Sequence, residues 1–104
     1  LRGIQPDETE RNLEQIINVA NNKNIKIILA GMVAPDTYGA QYKKEFDAIY
    51  PRLSNKYNLA LIPFLLEGVA LNPILNQQDG IHPNKEGTIK VSENIKKSII
   101  NVLN

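Results

Sequence analysis

The chain has 104 residues, of which 12 are Lys or Arg and 11 are Asp or Glu, giving a formal net charge of +1. This length corresponds to one domain or part of one, and the balanced charge argues against a strongly basic nucleic-acid-binding protein. The absence of Cys excludes disulfide scaffolds, thiolate zinc sites and cysteine nucleophiles, and no apolar run approaches the roughly 20 residues of a membrane-spanning helix.

The first predicted element is a helix that begins at Pro6, because proline suits a first turn where its missing N–H would have no partner. The cluster 21–24, which contains three Asn, is predicted to end it. Between these limits, apolar residues recur at the spacing of one helical face: Leu13, Ile16, Ile17 and Ala20.

Two short apolar segments, Ile25–Gly31 and Leu59–Phe64, predict strands. Their apolar side chains point both ways, which is typical of a parallel sheet covered on both faces. Between them lie a loop at Met32–Thr37 and a helical stripe over Tyr42–Tyr57. We expect the aromatic residues of that stripe to pack in the core, and Pro51 within it predicts a kink or a break.

The rest of the chain is predicted as one or two helical turns at Leu65–Leu71, a long loop at Asn72–Pro83, and a last helix from about Asn84. The alternation of helices and strands favours an α/β layer with a parallel sheet. Two strands that are apolar on both faces do not complete such a sheet. We therefore expect residues 1–104 to be a single partial domain, the C-terminal part of a larger α/β domain, or to borrow strands from a partner.

The candidate catalytic residues are His82, the only histidine of the chain, and Asp79, three residues before it. With Gly80 allowing a tight turn, the carboxylate can reach back to the imidazole. A hydrogen bond to Nδ1–H would orient the ring and leave Nε2 free as a general base. This spacing suits the base and the orienting acid of a nucleophilic triad.

Other interpretations remain open from spacing alone. His82 before a proline at a helix start is also compatible with a structural cap, in which Asp79 accepts from loop amides. A metal site is a weaker alternative, because no spacing brings Glu67 or Glu86 close as a third ligand. No residue is a convincing nucleophile: Ser54, Ser92 and Ser98 fall in helical patterns, and Thr37 and Thr88 are no better placed.

The segment 79–84, with the sequence DGIHPN, resembles the last conserved block of the SGNH, or GDSL-type, hydrolases. The resemblance extends over essentially the whole chain, to the arylesterase, acyl-thioesterase and lysophospholipase branch. Leu1-Arg2-Gly3 resembles the segment that follows the Gly-x-Asn-Asp block there. The other similar segments are Ala34–Gly39, Tyr42, Phe46, Tyr50-Pro51 and Pro63–Val69.

This resemblance implies the C-terminal part of a flavodoxin-like three-layer α/β/α sandwich with a parallel sheet, its N-terminal strands preceding Leu1. It implies that His82 is the general base and Asp79 its orienting acid. The family builds part of its acyl pocket where Met32, Val33 and Ala34 follow the strand, although plain hydrophobic filling suits Met32 and Val33 equally well. Residues 1–5 would flank the substrate cleft.

The implied reaction is hydrolysis of a small acyl ester or thioester by a Ser-His-Asp triad, with no metal and no organic cofactor. The serine and the oxyanion-hole residues of the family have no counterpart in this sequence, so we expect the chain alone to be inactive. The expected partners are the missing N-terminal segment or a second copy, with no nucleic acid and no membrane span. Location is undetermined, and the resemblance favours a periplasmic or secreted parent protein. A non-catalytic α/β module that associates through its open sheet edge is the alternative.

Overall fold

The structure, a computed structural model, describes residues 4–103. These residues fall into two compact units that divide after Pro63. The elements in chain order are α1 (Pro6–Asn22), β1 (Ile28–Ala30), a short 3₁₀ helix (Asp36–Tyr38), α2 (Ala40–Asp47), α3 (Ile49–Tyr57), β2 (Ala60–Ile62) and α4 (Lys85–Leu103). The first unit contains both strands and α1 to α3, and the second contains α4 and the loops before it.

Helix α1 confirms the first predicted element at both ends. Pro6 occupies its first turn, and Asp7 and Glu8 place negative charge at the positive end of the helix dipole. Beyond its C-terminus, Asn24 adopts a left-handed conformation with φ of 58°, which Asn tolerates better than most residues. The asparagine cluster therefore ends the helix as predicted.

The helical stripe that contains Pro51 is broken into two helices. Helix α2 ends at Asp47, helix α3 begins at Ile49, and only Ala48 separates them. Pro51 has no N–H to donate to the carbonyl of residue 47, and its ring crowds that carbonyl. The predicted break is confirmed. It lies at Ala48, next to the carbonyl of Asp47 that would have accepted the missing hydrogen bond, and not at Pro51 itself.

The predicted aromatic core is also confirmed. Phe46 and Tyr50 are buried, with their ring centroids 5.8 Å apart in an edge-to-face arrangement. Tyr42 stacks on Phe46 at 6.1 Å and donates its hydroxyl hydrogen to the carbonyl of Ile4. The buried core of the first unit consists of Ile17, Leu29, Ala34, Phe46, Ile49, Tyr50 and Leu53.

Strands β1 and β2 pair in parallel, with Leu29 opposite Leu61 at the centre of the register. Both are shorter than predicted. Ile25 is the first residue of the first predicted strand, but its N–H donates to the carbonyl of Ala20 in α1. Ile25 therefore still belongs to the turn that follows this helix. Beyond the strand, the N–H of Gly31 donates to the carbonyl of Ile62 at 2.7 Å, which extends the pairing by one residue.

The helix predicted for Leu65–Leu71 is wrong: this segment is a series of turns. Gly68 and Leu71 have φ of 77° and 65°, in the left-handed region that a right-handed helix excludes. The last predicted helix is confirmed as α4. None of the helices within residues 4–103 combines the length and the apolar character that crossing a membrane requires.

Candidate active site

The loop that carries Asp79 and His82 is closed at its base, immediately before α4. The carbonyl of His82 accepts from the N–H of Gln77 at 2.8 Å, and Asn76 forms an isolated antiparallel bridge with Pro83. At the tip, Gly80 donates its N–H to the carbonyl of Gln77 at 2.9 Å with φ of 71°. A positive φ of this kind favours glycine, so the sequence supports the tight turn locally.

Asn84 joins this loop to the start of α4. Its Oδ1 accepts from the N–H of Gly87 at 2.9 Å, which satisfies one of the free N–H groups of the first helical turn. Its Nδ2 donates to the carbonyl of Ile74 at 2.7 Å, and its own N–H donates to the carbonyl of Leu75 at 2.9 Å. One side chain therefore caps the helix and fastens the loop base to it.

Asn76 anchors the other end of the loop. It is 8% exposed, and its Nδ2 donates to the carbonyls of Val69 and Asn72 at 2.8 and 2.7 Å. Our sequence reasoning missed both asparagines. The position of Asn84 before a predicted helix is a recognisable capping signal, whereas no local pattern marks Asn76.

The carboxylate of Asp79 uses its two oxygens for two different purposes. Oδ2 lies 2.6 Å from Nδ1 of His82, and Oδ1 accepts from the N–H groups of Ile81 and His82 at 3.0 and 3.1 Å. The hydrogen bond with the His82 side chain is the main cause that lowers the pKa of Asp79 from 3.8 to about 2, and the two backbone N–H groups add to it. The carboxyl is therefore ionised at neutral pH and only accepts hydrogen bonds.

Because the ionised carboxylate is only an acceptor, Nδ1 of His82 is the donor in this pair. In the neutral ring the lone pair is then on Nε2. The side chain of His82 is 70% exposed and that of Asp79 is 42% exposed, so solvent reaches the pair. Within the second unit as far as the structure describes it, no group hydrogen-bonds Nε2.

The three serines are engaged by backbone carbonyls. Ser54 donates to the carbonyl of Leu59 at 2.7 Å, Ser92 to that of Thr88 at 3.0 Å, and Ser98 to that of Asn94 at 3.5 Å. Ser92 and Ser98 bond back to the carbonyl four residues earlier, as serines in helices often do, whereas Ser54 donates to a carbonyl beyond the end of α3. These contacts agree with the helical positions assigned to them from sequence.

The predicted substrate-binding residues lie in the first unit, directly after β1. Met32 packs against the core, Val33 is partly exposed and Ala34 is 2% exposed. Their role stays a prediction. Residues 1–3, predicted to flank the cleft, lie outside the described residues. Among residues 4–103, no three His, Asp or Glu side chains gather in a way that could hold a metal ion.

Comparison with known proteins adds independent evidence. No family model matches the sequence. Thioesterase 1/protease 1/lysophospholipase L1 of Escherichia coli is 36% identical over all 104 residues, which span 50% of that protein. Esterase TesA of Pseudomonas aeruginosa is 34% identical over 91% of this chain and 47% of its own length. The chain thus spans about half the length of these relatives.

Solved structures agree. A crystal structure of TesA aligns with 94% of this chain and with 54% of the TesA chain, with a TM-score of 0.86 and 32% sequence identity. The structure of the SGNH-hydrolase family esterase AlinE4 aligns with 99% of this chain and with 55% of the AlinE4 chain, with a TM-score of 0.72 and 40% sequence identity. The psychrotrophic esterase EstA from Pseudoalteromonas reaches a TM-score of 0.91 at 26% identity, over 98% of this chain and 56% of its own.

These matches define the chain as an α/β protein with the parallel-sheet fold of a group of bacterial esterases. Its sequence and its fold are similar to those of SGNH-hydrolase esterases, and it corresponds to the C-terminal portion of these relatives. The family resemblance and the fold class predicted from the sequence are confirmed.

Proposed function

We propose that this chain supplies the histidine and the aspartate of a Ser-His-Asp esterase that hydrolyses carboxylic esters or acyl thioesters. The observation that carries the proposal is the 2.6 Å contact between Asp79 and Nδ1 of His82, on a ring whose side chain is 70% exposed. The names of relatives, which include thioesterase, esterase and arylesterase, support the substrate class.

In the proposed reaction, Nε2 of His82 takes the proton of a serine hydroxyl while the serine oxygen attacks the acyl carbon. The resulting imidazolium then gives this proton to the leaving alcohol or thiol as the acyl-enzyme forms. Water deacylates the serine by the same steps, with His82 first as base and then as acid. Asp79 keeps the ring oriented and stabilises its positive charge while it exists.

The serine and the oxyanion-hole donors are proposed to belong to the portion of the relatives that this chain does not span. In that case residues 1–104 alone do not hydrolyse esters, and the expected partners are that N-terminal segment and a small acyl ester or thioester. Met32, Val33 and Ala34 are the proposed contacts to the acyl group, since ligands of parallel α/β sheets bind outside the carboxyl ends of the strands.

The decisive experiment combines the chain with an N-terminal portion, encoded upstream or taken from the Escherichia coli relative, and assays a short-chain aryl ester. We expect hydrolysis that His82→Ala reduces on the order of a millionfold and Asp79→Asn about ten-thousandfold, as in serine hydrolase triads. Lys85→Ala, at an exposed position of α4 near the loop, is the matched control and should retain activity. Activity that persists in His82→Ala overturns the assignment.

The chain alone allows a second measurement, because His82 is its only histidine. Nitrogen NMR of the imidazole should find the proton on Nδ1 at a pH where the ring is neutral. Asp79→Ala should shift the population toward the Nε2-protonated form, since the acceptor that holds the proton on Nδ1 is gone. A wild-type ring with its proton on Nε2 contradicts the proposed orientation.

The second candidate function is a non-catalytic module that associates through its sheet. Among the described residues the sheet has only β1 and β2, so each has one edge without a partner strand. The outer face of α1 and the segment after it add an apolar surface, because Ile16, Val19 and Ile25 are 65%, 56% and 54% exposed. Sedimentation and amide exchange test it: a compact monomer with protected strand amides excludes the need for a partner.

A further inference from the structure

Two charged side chains of α2 hold the backbone of the loop that follows β1. Oδ1 of Asp47 accepts from the N–H of Ala34 at 2.8 Å, and Nζ of Lys43 donates to the carbonyl of Ala34 at 2.9 Å. The two side chains also pair with each other, with Nζ of Lys43 2.9 Å from Oδ2 of Asp47. We call this arrangement the Ala34 clamp; it satisfies both backbone polar groups of a single residue.

The clamp is poorly explained as a device that stabilises α2. Asp47 is the last residue of this helix, where a negative charge opposes the helix dipole. Lys43 precedes Asp47 by four residues, and the opposite order, acid before base, is the more favourable one in helices. The helix would be better served by the reverse arrangement, so the contact with the loop is the simpler reason for the pair.

The clamp also completes the restraint of the loop. At the start of the loop, the N–H of Gly31 donates to the carbonyl of Ile62 at 2.7 Å. At its end, Ala34 is 2% exposed and its backbone depends on the clamp for its hydrogen bonds. Met32 and Val33 lie between these two fixed points, so their positions follow from both.

We propose that Asp47 and Lys43 are positioning residues that fix the loop 32–34 and thereby set the acyl-chain selectivity of the esterase. The inference rests on the proposed function, because it takes this loop as part of the acyl-binding surface. It is independent of His82 and Asp79, since every contact that carries it lies within the first unit. A loop held by charges and hydrogen bonds keeps Met32 and Val33 in one arrangement toward a substrate.

The first arm of the test measures the loop in the chain itself. Asp47→Ala should accelerate hydrogen exchange at the Ala34 amide by about tenfold or more, as expected when a backbone hydrogen bond is lost. Asp47→Asn keeps an acceptor oxygen and should retain part of the protection. Lys43→Met should alter the carbonyl carbon shift of Ala34, and Lys43→Arg should restore it. The matched control is Glu45→Ala, which on the same helix loses only a contact to Gln41.

The second arm uses the chain combined with its N-terminal portion and compares aryl esters of increasing acyl length. Asp47→Ala and Lys43→Met should change the ratio of kcat/KM between long and short acyl groups by about tenfold, the discrimination that one methylene carries in an apolar pocket. The change should lie in KM, while kcat for the acetyl ester stays near that of the wild type. Glu45→Ala should leave both parameters unchanged.

The two arms of the test distinguish a failure of the clamp from a failure of the selectivity claim and from a failure of the proposed function. Unchanged exchange at the Ala34 amide in Asp47→Ala, together with an unchanged Ala34 carbonyl shift in Lys43→Met, overturns the clamp. Lost protection with an unchanged acyl-length profile overturns the link to selectivity and leaves the proposed function intact. A wild-type combination without His82-dependent hydrolysis overturns the proposed function, and the selectivity claim with it, while the exchange data still decide whether the clamp positions the loop.

Discussion

A β-carbon on Gly87 would lie 2.0 Å from the carbonyl oxygen of Leu75. The first turn of α4 therefore approaches the base of the His82 loop more closely than any other residue type allows. The same carbonyl accepts the N–H of Asn84, whose side chain caps the helix. The close approach and the cap belong to one arrangement, which places the loop with Asp79 and His82 at the N-terminus of α4.

Gly87→Ala should destabilise the second unit. The added methyl group meets a backbone atom that cannot move aside cheaply, and overpacking of this kind costs about 1–3 kcal/mol. Denaturant unfolding followed by circular dichroism measures the change. Lys85→Ala, exposed in the same turn, should unfold close to the wild type. A Gly87→Ala variant as stable as the wild type would contradict the tight approach.

Asn84→Ala should lower the free energy of unfolding by about 1–3 kcal/mol, because it removes a helix cap and a hydrogen bond to Ile74. Asn84→Asp keeps the capping oxygen but loses the donor to Ile74, so it should fall between Ala and the wild type. Chemical denaturation of the three proteins gives the order. If Asp were no better than Ala, the cap would not be the stabilising contact.

The carboxyl of Asp79 should titrate near pH 2 in the folded chain, below its ordinary pKa of 3.8. A lowered folded-state pKa means that the ionised form favours folding above pH 3.8, and that this contribution is lost as the pH falls through 3.8 toward 2. Carbon NMR of the Asp79 carboxyl measures it, and the amides of Ile81 and His82 should shift with the same midpoint. A midpoint near 4 would exclude the observed hydrogen bonds.

Leu53→Ala should cost about 2–5 kcal/mol, because Leu53 is fully buried and its removal leaves a cavity in the core of the first unit. Asn55→Ala, exposed on the same helix, should change the stability by less than about 0.5 kcal/mol. Thermal unfolding of the two variants provides the comparison. Equal melting temperatures would show that the core is not centred on α3.

The elements that were predictable are those with a strong local signal. The apolar period and Pro6 predict α1, and the proline at 51 predicts the break between α2 and α3 through the hydrogen bond it cannot form. The prediction of a helix at Leu65–Leu71 is wrong because the local signal in this segment is misleading. Its apolar composition favours a helix, but the left-handed conformations of Gly68 and Leu71 interrupt one. Nothing in the local sequence predicts the left-handed conformation of Leu71.

The contacts of the candidate site likewise divide into those that the local sequence predicts and those that depend on tertiary packing. Asp79 and His82 are close in sequence, and the glycine between them makes their contact a matter of local geometry. The roles of Asn76 and of the Ala34 clamp depend on carbonyls and amides brought near by tertiary packing, with Asp47 thirteen residues from its partner Ala34. Sequence periodicity carries no information about such backbone partners.

By itself, the sequence determined that helices and strands alternate as in an α/β layer and that Asp79 lies within reach of His82, because both follow from the spacing of residues that are close along the chain. Only the tertiary structure decided that the two predicted contacts of Asp79 occur together, since one oxygen binds the imidazole while the other binds loop amides. It also decided which backbone groups the buried and charged side chains satisfy. Hydrogen bonds need atoms at defined distances and angles, and those distances exist only once the chain has folded.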